Sequence, residues 1–183
     1  MTLTAADWAG LCALTETSRP EEQEYVLWTI RGRVESPRYP DTYEKVVLQP
    51  KQFSRFDYLT GPFGKTLRAA TPAEAFASMS LVKTANGAAP LLAAIHLAEH
   101  VLDLPPTMNP FAAFLMQTKA QGSNDPGQSF AAGLKRAQDV LHYYSPKSMR
   151  PAGYAPAWAK SAKYLFTPPG IDPNRFIFAE GVP

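Results

Sequence analysis

Ala13-Leu14-Thr15-Glu16-Thr17-Ser18-Arg19-Pro20-Glu21-Glu22-Gln23-Glu24-Tyr25 is the stretch on which the reading of this chain turns. Thr17-Ser18-Arg19 separates two segments with helical character. Upstream, Ala5 to about Thr17 predicts a first helix, with Trp8, Leu11, Cys12, Ala13 and Leu14 on a loosely apolar side. Downstream, Pro20 suits the first turn of a second helix, because the missing N–H would have no intrahelical partner there. Glu21, Glu22 and Glu24 follow where the helix dipole favours negative charge. Tyr25, Trp28, Thr29 and Arg31-Gly32-Arg33-Val34 carry that helix to about Glu35.

Beyond the second helix, Ser36-Pro37-Arg38-Tyr39-Pro40-Asp41 is a proline-bounded turn. Asp41 or Thr42 can then cap a short helix ending near Leu48. Residues 49–64 read as loop or short hairpin. Apolar spacing predicts helices over Pro72–Lys83 and Pro90–Leu102. Asn109-Pro110 opens another, with Phe111, Phe114, Leu115 and Met116 inward, and residues 121–127 are a break before a helix near Gln128–Val140. Leu141-His142-Tyr143-Tyr144-Ser145-Pro146 reads as a short strand, and the alternating Arg175-Phe176-Ile177-Phe178 as a partner for it. No internal repeat or deep composition shift marks a second domain. The expectation is one α+β domain over residues 1–183, helix-dominated, with a short β element near the C-terminus.

Composition narrows the function classes. The 183 residues are 45% apolar and 19% charged, enough for a packed core and unlike a disordered chain. No apolar run approaches the ~20 residues that span a bilayer, and the start lacks the order of a signal peptide. One cysteine, Cys12, excludes an internal disulfide, and three histidines make a histidine-rich metal site improbable. Residues 146–165 carry Lys147, Arg150, Lys160 and Lys163 with no acid, beside Tyr143, Tyr144, Tyr154, Trp158 and Tyr164. Such a tract can hold an anionic polymer such as nucleic acid or cell wall; equally, it can be a solvated loop face.

Two constellations carry chemistry. His96-Leu97-Ala98-Glu99-His100 fits the H-x-x-E-H pattern of inverted zinc peptidases, with two histidines one helical turn apart and Glu99 as general base. Catalytic zinc needs a third protein ligand that the sequence does not identify. The plainer reading is an exposed helix with a stripe of Leu92, Ile95, Leu97 and Val101, so no metal is expected. Glu16 is the better lead. A carboxyl packed against core side chains at the end of an apolar helix holds its proton more tightly, as the general acid of glycosidic cleavage must. Without further context, an acid at a helix end is a capping or surface residue.

Context comes from Trp28 to Tyr43, continuing Val46-Val47-Leu48-Gln49-Pro50-Lys51-Gln52-Phe53-Ser54. This pattern resembles the SleB-type cell-wall hydrolases, the family of spore-cortex-lytic and phage lysis enzymes. It has a glutamate on a first helix, a second helix ending Asn-Arg-Val, a proline-bounded turn and a segment ending Gln-Pro-x-Gln-Phe-Ser. His142-Tyr143-Tyr144-Ser145-Pro146, Ala155-Pro156-Ala157-Trp158 and Asn174-Arg175-Phe176-Ile177-Phe178 extend the likeness over most of the chain. Here Gly32-Arg33-Val34 stands for Asn-Arg-Val, and Glu16-Thr17-Ser18-Arg19-Pro20-Glu21 stands for the family's Glu-Ala-Arg-Gly-Glu. The interval from Glu16 to Val34 is shorter than the family's, which leaves Glu21 and Glu22 as alternative positions for the acid. The family's Asp-Pro-Thr segment has only Asp125-Pro126-Gly127 as a candidate counterpart.

The resemblance implies a lysozyme-like fold that cleaves peptidoglycan glycan strands between N-acetylmuramic acid and N-acetylglucosamine, as a lytic transglycosylase or a muramidase, without cofactor. It implies Glu16 as acid and then base, Gln52 and Ser54 lining the cleft, Phe53 in the core, and Tyr143 or Tyr144 hydrogen-bonding near the acid or an N-acetyl group. Alternation along a strand turns only one of the two tyrosines toward a cleft. The implied protein is a monomer without nucleic-acid partner or stable membrane insertion. It would be made in a host cytoplasm and reach the wall after holin-type release, or be carried on a virion. The competing classes are a zinc-dependent wall peptidase or amidase built on His96, Glu99 and His100, and a non-catalytic wall- or nucleic-acid-binding module.

Overall fold

A computed structural model describes residues 3–49, 52–53, 73, 88–117, 130–149 and 151–183. The expected loop over residues 49–64, the helix over Pro72–Lys83 and the break at residues 121–127 lie largely or wholly outside them, and so do Ser54, Arg150 and Asp125-Pro126-Gly127. The described part is helix-dominated α+β: six α-helices and one three-stranded antiparallel sheet. Contacts divide the chain into two compact units, Met1–Asp103 and Leu104–Pro183, a division compatible with one domain or two. No described helix is long and apolar enough to cross a membrane.

The first unit is helical. Its α1 spans Ala5–Glu16 and opens with a capping box, in which the Asp7 N–H donates to Thr4 Oγ1 (3.1 Å) and the Thr4 N–H to Asp7 Oδ2 (2.7 Å). Seven of its twelve residues are buried, among them Trp8, Leu11 and Cys12, so α1 is a core helix and not a one-sided one. Next, α2 spans Pro20–Glu35 with proline in its first turn, as expected of Pro20. A one-turn helix α3 covers Tyr43–Val47, and Thr42, not Asp41, caps it through Oγ1 and the Lys45 N–H (3.3 Å).

Helix α4 spans Ala89–Asp103. Its buried stripe is Leu91, Ala94, Ile95, Ala98 and Val101, while Leu92 is exposed, which corrects the expected stripe of Leu92, Ile95, Leu97 and Val101. The reason lies in α1. A Cβ on Gly10 would stand 2.8 Å from the Ala94 carbonyl oxygen and 2.8 Å from Ile95 Cα, so α4 approaches α1 through small residues. Leu91 lies on the face of Ala94, Ile95 and Ala98 at helical spacing, and Leu92 does not. At the other end Arg31 Nη1 donates to the Val101 carbonyl at 2.8 Å, satisfying one of the orphan acceptors of α4. Its Nε meets Glu35 at 2.7 Å.

In the second unit α5 covers Pro110–Gln117 and α6 Phe130–Ala137. They approach closely at Gly133, where a Cβ would sit 2.9 Å from the Ala112 carbonyl oxygen. The expected helix to Val140 ends three residues early, because Val140 opens strand β1 (Val140–Tyr144). Strands β2 (Tyr164–Phe166) and β3 (Ile177–Glu180) complete a sheet in the order β1-β3-β2. The expected pairing of the two tail segments is present, with Tyr143 opposite Phe178, although β3 begins and ends two residues later than the sequence suggested, leaving Arg175 and Phe176 outside it. Leu141 is the extra residue of a bulge between Val140 and His142, so Val140 and Leu141 are both buried.

Phe111 of α5 packs edge-on against Phe166 (5.8 Å) and tilted against Phe178 (5.0 Å), joining helix to sheet. Burying rings of this size stabilises by about 1.5–3 kcal/mol each. Among these aromatics lies an ion pair. Arg136 Nε reaches both Glu180 oxygens at 3.0 Å, its Nη2 reaches Oε2 at 2.8 Å, and its Nη1 donates to the Leu115 carbonyl at 2.7 Å.

Candidate functional site

Glu16 is the last residue of α1 and is half-buried. The chain leaves the helix through Thr17, which is extended (φ −157°, ψ 146°) and almost wholly buried. Among the described residues, hydrogen bonds from both helices and from the joint itself hold this one residue. Its N–H donates to the Ala13 carbonyl at 3.0 Å, and the Arg19 N–H donates to its Oγ1 at 3.2 Å. Gln23 Nε2 donates to its carbonyl at 2.8 Å, and its hydroxyl donates to Glu22 Oε2 in a short contact. The Thr-Ser-Arg interruption is thus a fixed joint between α1 and α2.

Glu22 is the surprise of this region. The dipole argument treats Glu21, Glu22 and Glu24 alike, yet Glu22 is only 2% exposed while Glu21 is on the surface. Besides Thr17, it faces Arg19 Nη1 at 3.5 Å, from a side chain that is half in solvent. A carboxyl removed from water to this degree needs such partners. A single sequence does not show it, because the partners lie across the joint.

Arg33 is a second buried charge, 3% exposed. Its guanidinium lies over the rings of Tyr39 (5.3 Å) and Phe53 (5.1 Å), a cation–π arrangement that offsets part of its desolvation. The second-helix end, the proline-bounded turn and the Gln-Phe segment therefore meet at one side chain. Phe53 is core, as expected. Gln52 is half-buried, and its N–H donates to the Gln49 carbonyl at 3.3 Å. Gln49 Oε1 is buried and meets no hydrogen-bond donor among the described residues. Burial pushes the Cys12 thiol well above its ordinary value; the Glu16 charge raises it further and the Arg33 charge lowers it. Both charges thus act on one buried atom of α1.

In the second unit the tyrosines separate as alternation requires. Tyr143 packs on Phe176 (5.4 Å) and Phe178 (5.8 Å). Tyr144 and His142 turn to the other face, where both meet Trp158, at 5.7 and 5.1 Å. Lys147, Lys160 and Lys163 are exposed. On α4, His96 and Glu99 are 75% and 58% exposed and 3.9 Å apart, and His100 is exposed too. Among the described residues no three metal-ligating side chains gather.

Comparison with known proteins found no matching family model, no matching curated protein and no matching solved structure.

Proposed function

We propose that the protein is a peptidoglycan-degrading lysis enzyme with a lysozyme-like fold, cleaving the glycosidic bond between N-acetylmuramic acid and N-acetylglucosamine as a lytic transglycosylase. The observation that carries this reading is the placement of Glu16: a half-buried carboxyl at the end of a core helix, held at a joint whose next residue is tied by hydrogen bonds to both helices. The meeting of Arg33, Tyr39 and Phe53 supports it, since three of the segments that resemble SleB-type hydrolases converge there.

In this reading Glu16 protonates the glycosidic oxygen as the bond to C1 breaks. The resulting carboxylate then takes the proton of the muramyl C6 hydroxyl, whose oxygen attacks C1 and closes a 1,6-anhydro ring. The proton returns to Glu16, so no second carboxylate and no water are consumed. Gln52 and Ser54 contribute polar contacts to the sugars. The exposed lysines of residues 147–163 attract the anionic wall. Release through a membrane lesion, or carriage on a virion, would bring the enzyme to its substrate.

The test is Glu16→Gln, assayed on purified peptidoglycan with mass analysis of the sugars. The variant should fold normally and lose ~10²–10⁴-fold in rate, whereas Glu21→Gln should stay near wild type. Wild-type products should be about 18 Da lighter than hydrated ones, because ring closure replaces water. Hydrated products would make the enzyme a muramidase. Lysis lost to chelator and restored by zinc would favour the His96, Glu99 and His100 peptidase instead.

A further inference from the structure

The joint after α1 is held by a buried acid of α2 that the proposed chemistry does not use, and its geometry gives that acid a task. We infer that Glu22 is a positioning residue for Glu16, acting through Thr17, with Gln23 as its second tether. The inference rests on the reading of Glu16 as the acid–base group.

Glu16 is the terminal residue of a helix, where backbone hydrogen bonding stops and ends fray. The direction in which the backbone presents its side chain depends on how firmly the residue after it is held. Thr17 is the residue that α2 grips. Glu22 holds its hydroxyl and Gln23 its carbonyl, and both come from the first turn of α2, behind Pro20. The grip is bidentate on one residue, from two adjacent side chains that are 2% and 4% exposed. Water therefore does not compete for these bonds. Glu21 and Glu24, on the same turn, make no comparable contact among the described hydrogen bonds, and Glu21 is on the surface.

What Glu22 needs for this task is an acceptor oxygen and not a transferable proton, and that separates it from an acid–base group. Glu22→Gln keeps an oxygen for the Thr17 hydroxyl, while Glu22→Ala and Thr17→Val each remove the bond. Displacing a catalytic group by about 1 Å can cost ~10²-fold. On soluble glycan strands from purified peptidoglycan, Glu22→Ala and Thr17→Val should lower kcat by about 10–100-fold with KM near wild type, the pattern of a lost transition-state placement. Glu22→Gln and Thr17→Ser should stay within about threefold of wild type. Should Glu22→Ala fail to fold, Gln23→Met removes only the carbonyl tether and should lower kcat in the same direction with the fold intact.

Folded Glu22→Ala and Thr17→Val proteins with wild-type kcat would overturn the inference, leaving Glu22 a purely structural acid. Glu22→Gln as inactive as Glu16→Gln would overturn it too, by making Glu22 the acid–base group. An inactive wild type would instead reject the proposed function. In that case the carboxyl ¹³C titration of Glu16 still decides the placement: it should move in Thr17→Val and return in Thr17→Ser, and an unmoved titration would reject it.

Discussion

Replacing Gly10 by alanine sets two effects of opposite sign against each other. In a solvated helix interior the exchange gains about 1 kcal/mol, because alanine restricts the unfolded chain and favours the helix. At Gly10 the new Cβ would stand 2.8 Å from the Ala94 oxygen and Ile95 Cα and 2.9 Å from the Ala94 carbonyl carbon. All three are backbone atoms, so no side chain can swing away. Reaching ordinary contact requires α1 and α4 to part by about 0.6 Å or more, across a seam that includes Ala94, Ile95 and Ala98. Overpacking of this kind costs about 1–3 kcal/mol. The balance is a net loss of about 0–2 kcal/mol, or a Tm lowered by about 2–4 °C for each kcal/mol. Urea unfolding followed by circular dichroism measures it as a lower midpoint at unchanged slope. A midpoint raised by the full helix-propensity gain would show that α1 and α4 do not pack through Gly10, and the account of the α4 stripe would fall with it.

In the second unit, Glu180→Ala should cost about 3–5 kcal/mol, because Arg136 would keep its charge beside a side chain that was only 9% exposed; the double variant Arg136→Met with Glu180→Leu should recover most of that in the same unfolding assay. The Cys12 thiol is held above its ordinary value of 9.0, so the folded protein keeps a proton that the unfolded chain gives up. Its contribution is present below pH ~9 and lost as pH rises toward the folded value, and pH-dependent unfolding of Cys12→Ala should show a shallower alkaline decline. Charge-neutral substitutions at Lys147, Lys160 and Lys163 should weaken pull-down on purified wall at low salt. The difference should vanish near 1 M, where the Debye length is ~3 Å; equal effects at both salts would mean that these side chains support the fold.

Local chemistry made the helix boundaries of the first unit legible. A proline one residue past the joint, acids behind it, and Thr42 ahead of Tyr43 act within a few residues, so the sequence states them directly. The face of α4 was less legible. Leu91 and Leu92 are chemically identical, and the buried one shares its face with Ala94 and Ile95, which meet a glycine about eighty positions earlier. Strand β2 has three residues and exists through its pairing with β3, so no periodicity announces it. In this region the end of α1 near Glu16 and the core place of Phe53 were readable from pattern, but the burial of Glu22 and Arg33 was not. A buried charge is tolerated only through partners, and Thr17, Tyr39 and Phe53 are supplied by the folded chain.

The three tryptophans fall unequally on the two units. Trp8 and Trp28 are each 3% exposed in the helical unit, whereas Trp158 is half-exposed and lies against His142 and Tyr144 on the sheet. Indole emission shifts to the red with exposure to water, so the chain carries its own optical labels. Blue-edge emission follows the packing around α1 and α2, and the red edge follows the aromatic face of β1. Each unit can therefore be watched separately in the intact protein, without attaching a dye to either.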